Sequence, residues 1–114
     1  MLFYENTGNG KPLVFLHGFL ESHLIWNNLR KNLEKEAQII TIDLPGHGNS
    51  ENSQKVNTME EMAEKVIEVL DELNLEKATF IGHSMGGKVA MVFSMAYPAV
   101  TDGMVSIDMA PKQY

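Results

Sequence analysis

The chain alternates short apolar runs with longer stretches in which apolar residues recur at helical spacing. The short runs predict strands at 2–5, 13–16, 38–42, 78–81 and 103–108. The longer stretches predict helices at 22–33, 58–73 and 85–97. This alternation is typical of an α/β fold, in which a mostly parallel sheet carries helices on both faces.

The helix predicted after Thr58 has the clearest local signals. Thr58 and Glu61 have the spacing of a capping box, which marks a helix N-terminus. The charged residues of this segment lie mainly on one side and are interpreted as a solvated face. The apolar residues form a stripe on the other side, which we expect to face the core: Met59, Met62, Ala63, Val66, Ile67, Leu70 and Leu73.

Length, charge and composition narrow the class of protein. A chain of 114 residues is one small domain at most, and its formal net charge of -6 argues against nucleic-acid or acidic-membrane partners. No apolar run reaches the roughly 18 residues of a membrane span. The absence of cysteine excludes disulfides and thiolate metal sites, and the N-terminus has no leader pattern. We therefore expect a cytoplasmic protein that uses neither a metal nor a cofactor.

The segment Gly82-His83-Ser84-Met85-Gly86-Gly87-Lys88 carries the strongest chemical signal. It contains Gly-x-Ser-x-Gly between a predicted strand and a predicted helix, a spacing that places the serine on a very sharp turn. Glycines are needed beside such a turn, and we expect Ser84 to have a positive φ. Helix N–H groups and the helix dipole favour negative charge there, so Ser84 is presented for attack on a carbonyl carbon.

The same segment also reads Gly-x-x-x-x-Gly-Lys, which leaves a P-loop NTPase as a remote alternative. Asp43, at the end of a predicted strand, would then bind magnesium. A P-loop requires Ser or Thr after the lysine as a magnesium ligand, and this chain has Val89. His83 and Met85 would also crowd the phosphate site, so the nucleophile interpretation is favoured.

Three further polar motifs follow predicted strands: His17-Gly18-Phe19-Leu20, the segment 43–50, and Asp108-Met109-Ala110-Pro111. The carboxyl ends of parallel strands meet on one rim, where ligands bind in such sheets. With the serine turn, the motifs resemble in order and separation the N-terminal half of an α/β-hydrolase-fold protein. The resemblance covers nearly the whole chain, and the ending 107–111 is similar to that of small bacterial carboxylesterases.

This resemblance implies a serine hydrolase of small esters or related acyl compounds, in which Ser84 is the nucleophile. The backbone N–H groups of Phe19 and Met85 would form the oxyanion hole, each worth roughly 3–4 kcal/mol to the transition state. The segment 43–50 would brace the rim. Structural roles at the site would fall to His17, Gly18, Gly82 and Gly86.

The histidines of the chain do not match the base of this fold. In the fold the order is nucleophile, acid, histidine, whereas the four histidines here all precede or adjoin the serine turn. His47 and His83 are interpreted as structural, and His23 as an exposed helix residue. Asp108, at a strand end, is a candidate acid.

We therefore expect residues 1–114 to be the N-terminal part of a single α/β-hydrolase domain, truncated after the family's sixth strand and without the lid and the acid–histidine segment. Such a chain alone would hydrolyse esters poorly. Its last strand would leave Met104, Val105 and Ile107 partly uncovered, which predicts a missing half or self-association through that edge. The alternative is a non-catalytic ligand-binding protein of the same fold. An acid strand and a histidine further along the gene would favour the enzyme.

Overall fold

The described residues, 1–50 and 58–107 of a computed structural model, form one sheet with helices on both faces. The strands of this part of the chain are β1 (Tyr4–Thr7), β2 (Lys11–Leu16), β3 (Ala37–Ile42), β4 (Ala78–His83) and β5 (Thr101–Ile107). Its helices are a 3-10 turn (His23–Trp26), α1 (Asn27–Leu33), α2 (Met59–Glu72) and α3 (Met85–Ala96). The predicted α/β class is confirmed.

The strand order is β1-β3-β2-β4-β5, and β1 is the antiparallel member. At the centre of the sheet, Leu16 of β2 lies in register with Ile42 of β3 and Gly82 of β4. The carboxyl ends of these parallel strands therefore meet at one edge. The loops that follow them carry the polar motifs, so the topology brings those motifs together.

Side chains of the central strand alternate between two apolar cores, because successive residues of a strand point to opposite faces. Val14 and Leu16 belong to the core formed with α2 and α3. Phe15 belongs to the core on the other face, where its ring lies 5.0 Å from that of Trp26. Since both faces are covered, residues 13–16 of β2 are a continuous apolar run rather than an alternating one.

The local signals for α2 and α3 are confirmed. The Thr58 hydroxyl accepts a hydrogen bond from the Glu61 backbone N–H, and the Glu61 side chain accepts one from the Thr58 N–H. The predicted stripe packs in the core, with Met62, Ala63, Val66 and Leu70 buried. Helix α3 ends at Ala96, two residues before Pro98, as a proline requires.

The first strand lies further along the chain than predicted. It begins at Tyr4, because the backbone of Phe3 is already bonded to the loop after β3. The Phe3 N–H donates to the Ser50 hydroxyl, and the Phe3 carbonyl accepts from the Asp43 N–H. Leu2 is buried in the core instead of pairing in the sheet.

The helix predicted at 22–33 starts differently from expected. The Ser22 hydroxyl accepts from the Leu24 N–H at 3.3 Å, so Ser22 is the predicted cap. The turn that it caps is a 3-10 turn, and α1 begins only at Asn27.

Strand β5 lies at an edge of the sheet and is incompletely covered. Val105 is 49% exposed, and Met104 and Ile107 are half-buried, which confirms the predicted uncovering. No helix in the described residues combines the length and apolarity needed to cross a bilayer.

Candidate active site

Ser84 lies on the sharp turn between β4 and α3. Its backbone angles are φ 54° and ψ -112°, which confirms the predicted positive φ. A non-glycine residue in this region is strained and persists only where the surrounding structure holds it. The Ser84 N–H donates to the Ile107 carbonyl at 3.3 Å, its carbonyl accepts from the Lys88 N–H, and the residue is exposed.

Gly82 and Gly86 make this turn possible by close backbone contact. A Cβ on Gly82 would lie 2.4 Å from the Gly86 carbonyl oxygen. A Cβ on Gly86 would lie 2.0 Å from the Leu16 carbonyl oxygen. Both positions therefore exclude any side chain, and the first turn of α3 packs directly against the end of β2. This contact places the serine turn beside the loop that follows β2.

That loop is joined to the serine turn through Glu21. The Glu21 Oε1 accepts from the Gly18 N–H at 2.7 Å and from the His83 ring Nδ1 at 2.8 Å. A Cβ on Gly18 would lie 2.6 Å from this oxygen, which explains the glycine. Gly18 and His83 are thus linked through one carboxylate oxygen, and their structural role stays a prediction. Glu21 was not predicted; its signal is a lone carboxylate in an otherwise apolar turn.

His17 braces the loop after β2 against the loop after β3. It is fully buried; its Nε2 accepts from the Leu44 N–H at 2.9 Å, and its Nδ1 donates to the Gly18 carbonyl at 2.7 Å. Burial lowers the pKa of His17, so the ring is held neutral. Both ring nitrogens are occupied by backbone groups, which suits a structural residue and leaves neither for proton transfer at Ser84.

The loop after β3 is organised by the buried carboxylate of Asp43. Its Oδ1 accepts from the backbone and the ring of His23, and its Oδ2 accepts from the Asn49 N–H at 2.8 Å. Burial alone would raise the pKa of Asp43, but these hydrogen bonds together hold it below its usual range. Gly48, with φ 52°, passes so close that a Cβ would lie 2.3 Å from Oδ2.

His23 is not the exposed helix residue expected from the sequence. Its exposed fraction is 5%, because its ring nitrogen Nδ1 lies 2.8 Å from Asp43 Oδ1. Nε2 lies 3.5 Å from a Glu5 carboxylate oxygen. The ring also contacts Phe3. These partners lie in or next to β1 and directly after β3, so the local sequence around His23 carried no sign of them.

His47 packs between His17 and Phe19, with ring centroids 5.0 Å and 5.8 Å away. Its Nδ1 lies 3.0 Å from the Pro45 carbonyl oxygen. Among the described residues, no hydrogen bond links a histidine ring to Ser84. The ring contacts of His17, His47 and His83 fit the structural roles expected for these three histidines. The His47 Nε2 is buried without a hydrogen-bond partner in the described residues.

The two expected oxyanion donors belong to neighbouring elements. Met85 is the first residue of α3, where N–H groups have no acceptor within the helix. Phe19 directly follows Gly18, and its side chain is 66% exposed. Convergence of the two N–H groups on one point stays a prediction, as does an acidic role for Asp108, which lies outside the described residues.

The arrangement also bears on a metal or nucleotide site. Val89, where a P-loop has its magnesium ligand, is fully buried, and both Asp43 carboxylate oxygens already accept protein hydrogen bonds. Across residues 1–50 and 58–107, no group of three or more His, Asp or Glu side chains has the geometry to hold a metal ion.

Comparison with known proteins relates the chain to hydrolases. Residues 11–113 match a family profile described as alpha/beta hydrolase fold. An sn-1-specific diacylglycerol lipase, ABHD11 of Danio rerio, is 36% identical over 110 residues, which cover 95% of this chain and 34% of that protein. Esterase YbfF of Escherichia coli is 36% identical over 110 residues, covering 96% and 43%.

Solved structures extend the similarity to the backbone. A thermophilic esterase from Thermogutta terrifontis superposes with a TM-score of 0.90 at 36% identity, covering 92% of this chain and 39% of that one. The epoxide hydrolase CorEH superposes with a TM-score of 0.91 at 34% identity, covering 96% and 39%. The chain thus spans about a third to two fifths of the length of these relatives.

Proposed function

Because the chain belongs to the alpha/beta hydrolase fold family, we propose that it carries the nucleophile of a serine hydrolase that cleaves carboxylic esters through an acyl-Ser84 intermediate. The observation that carries this proposal is the strained, exposed Ser84 at φ 54°, on the turn that opens α3. Strain of this kind at an exposed hydroxyl is a feature of functional sites rather than of packing.

The proposed reaction uses the groups of the site in two steps. The Ser84 hydroxyl oxygen attacks the ester carbonyl carbon, and its proton passes to a base. The oxyanion of the tetrahedral intermediate accepts hydrogen bonds from the Phe19 and Met85 N–H groups. The alcohol leaves with a proton, and water then hydrolyses the acyl-Ser84 ester by the same route.

We propose that the base and the lid come from polypeptide beyond the part described. The relatives are more than twice as long as this chain, and no histidine ring in the described part of the chain is hydrogen-bonded to Ser84. Asp108 is the proposed acid that orients the base. The substrate is a small-molecule ester or acyl compound in the cytoplasm, and a net charge of -6 disfavours nucleic-acid and acidic-membrane partners.

The open edge at β5 supports a missing neighbour. Parallel strands are normally covered on both faces, yet Val105 is 49% exposed there. We expect the 114-residue chain alone to self-associate in sedimentation at micromolar concentration, and Val105→Lys to reduce this. Lys65→Glu, on the exposed face of α2, is a suitable control for this variant. Val92→Lys is not, because Val92 of α3 packs against the core. A stable monomer without dye-binding apolar surface would contradict the expectation.

A serine at the nucleophile position distinguishes the proposed ester chemistry from that of family members that carry aspartate there. On this ground we propose ester hydrolysis rather than epoxide opening, although several of the similar solved structures are described as epoxide hydrolases. The resemblance also includes proteins that bind ligands without catalysis, and the experiment below separates these outcomes.

Replacement of Ser84 tests the function. In the complete polypeptide to which the chain belongs, Ser84→Ala should lower kcat for p-nitrophenyl acetate by about 10⁴-fold or more. A fluorophosphonate should add once, at Ser84, by mass spectrometry. The matched control is Ser94→Ala, on the far part of α3, where the hydroxyl only bonds the Met91 carbonyl. Hydrolysis that survives Ser84→Ala would overturn the proposal, and a wild type without hydrolysis or adduct would favour a binding protein.

A further inference from the structure

Glu21 bridges the two loops that carry the proposed oxyanion donors. We infer that Glu21 is a positioning residue that holds the loop after β2 at a fixed place relative to Ser84, and thereby aligns the Phe19 N–H. The inference rests on the proposed function, since it concerns the same site. It assigns a role to a carboxylate that takes no part in the proposed bond-making steps.

The sheet itself cannot hold these two loops together. The register between β2 and β4 ends at the pair Leu16 and Gly82. Beyond that pair β2 and β4 are no longer paired: one segment runs toward Gly18, and in the other His83 pairs only with Ile107 of β5 before Ser84. The Glu21 side chain continues the connection past the last pair: one carboxylate oxygen lies 2.7 Å from the Gly18 nitrogen and 2.8 Å from the His83 ring.

The contacts around Gly18 leave no room for a side chain at this position while the bridge is in place. A Cβ there would lie 2.6 Å from Glu21 Oε1 and 2.8 Å from His83 Nδ1. Any larger residue would push the carboxylate away from the ring. The glycine therefore belongs to the bridge, and it is also the residue immediately before Phe19.

The loop between Gly18 and Glu21 needs to be held. Leu20 has φ 63° and is 82% exposed, so neither burial nor an ordinary backbone conformation stabilises its position. The Glu21 N–H donates to the Gly18 carbonyl at 3.2 Å, which closes the turn. Together with the bond from the Gly18 N–H to the Glu21 side chain, this means that Glu21 is hydrogen-bonded to both backbone polar groups of Gly18.

Loss of the hydrogen bonds between Glu21 and Gly18 should reduce stabilisation of the transition state more than it reduces substrate binding. An oxyanion hole acts only when negative charge develops, so donor misplacement lowers kcat with little change in KM. Removal of a whole donor costs about 100- to 1,000-fold in kcat, and a donor that is present but displaced should cost less.

The test compares Glu21→Ala with Glu21→Gln in the complete polypeptide, with p-nitrophenyl acetate as substrate. Glutamine keeps an Oε1 acceptor for the Gly18 N–H, whereas alanine does not. We expect Glu21→Ala to lower kcat by about 10- to 100-fold with KM within about threefold, and Glu21→Gln to recover kcat to within about fivefold of wild type.

A matched control is Glu34→Ala, because Glu34 is also a half-buried carboxylate in a single bridge, to Arg30 on α1, away from the site. Its kcat and KM should stay at the wild-type values. Amide exchange by NMR gives a second readout: the Gly18 N–H should be protected in the wild type and in Glu21→Gln. It should exchange faster in Glu21→Ala.

The outcomes separate this inference from the proposed function. If the wild type hydrolyses the ester, Ser84→Ala does not, and Glu21→Ala keeps kcat within twofold, the positioning inference alone is overturned. It is also overturned if glutamine is no better than alanine, or if the wild-type Gly18 N–H exchanges freely. If the wild type has no ester hydrolysis and no fluorophosphonate adduct, the proposed function fails. The Gly18 exchange rates then decide whether Glu21 holds the loop.

Discussion

Two histidine–carboxylate pairs lie near the same edge of the sheet, and they differ in where they are placed. His23 and Asp43 join the 3-10 turn to the loop after β3, and His83 and Glu21 join the serine turn to the loop after β2. The distance from histidine Nδ1 to the carboxylate oxygen is 2.8 Å in both. The Asp43 side chain is fully buried, whereas that of Glu21 is 22% exposed.

The difference in burial distinguishes a pair that only stabilises the fold from a pair that lies beside the proposed nucleophile, Ser84. Asp43 accepts hydrogen bonds on both oxygens, and it closes the loop after β3 where no substrate atom can reach. The carboxylate of Glu21 acts through one oxygen. This oxygen accepts hydrogen bonds from the His83 ring and from the N–H of Gly18, the residue before Phe19. The same type of histidine–carboxylate pair therefore stabilises the fold in one place and sets the geometry of the site in the other.

The largest effect that sharpens this comparison is expected from Asp43→Ala. Removing the carboxylate leaves the buried N–H of His23 and the partly buried N–H of Asn49 without their acceptor, and the His23 ring loses its hydrogen-bond partner at Nδ1. Loss of one partner from a buried pair typically costs about 3–5 kcal/mol in the free energy of unfolding. Urea unfolding of the complete polypeptide measures it, with the exposed Asp71→Ala as control, which should stay within about 0.5 kcal/mol of wild type.

The matching replacement in the other pair should behave differently. Glu21→Ala should lower the free energy of unfolding by about 1 kcal/mol, because the Glu21 side chain is 22% exposed and its hydrogen bonds are only partly buried. If Glu21→Ala destabilises as strongly as Asp43→Ala, the two pairs do not differ in kind, and the comparison is wrong.

Local sequence patterns predicted the parts of the molecule that are locally determined. The serine turn follows from glycines within two residues of Ser84, and the start of α2 follows from Thr58 and Glu61. Continuous apolar runs marked the buried strands because helices cover both faces of the sheet. In each case the residues that decide the structure are neighbours in the chain.

The partners of His23 and Glu21 could not be predicted in this way. Asp43 is 20 residues from His23, and His83 is 62 residues from Glu21. A polar residue near a helix start is usually exposed, so the sequence predicts His23 at the surface. Only the fold brings Asp43 next to it. The pairing of Phe3 with Ser50, which displaces β1, also joins residues far apart in the chain, with a separation of 47.

A smaller effect, on the pH dependence of stability, sharpens the comparison further. The pKa of Asp43 is lower in the folded than in the unfolded protein. Its contribution to stability is therefore complete above the unfolded value of about 3.9 and is lost as the pH falls through the folded value. The pKa of His17 is also lowered, by burial, so its contribution is complete above about pH 6.5 and declines below it.

We therefore expect the urea midpoint to fall in two stages as the pH is lowered from 8, first below about pH 6.5 and then below about pH 4. Site-resolved NMR assigns the stages without a variant. The His17 ring should stay neutral at pH values where histidine in model peptides has already taken up a proton. The Asp43 carboxyl group, followed by its carboxyl carbon signal, should likewise stay ionised where aspartate in model peptides is already protonated. If His17 takes up its proton at or above pH 6.5, the brace between the two loops is not held as described. If Asp43 takes up its proton at the usual pH, its buried pair adds no pH-dependent stability, and the contrast with Glu21 then rests on burial alone.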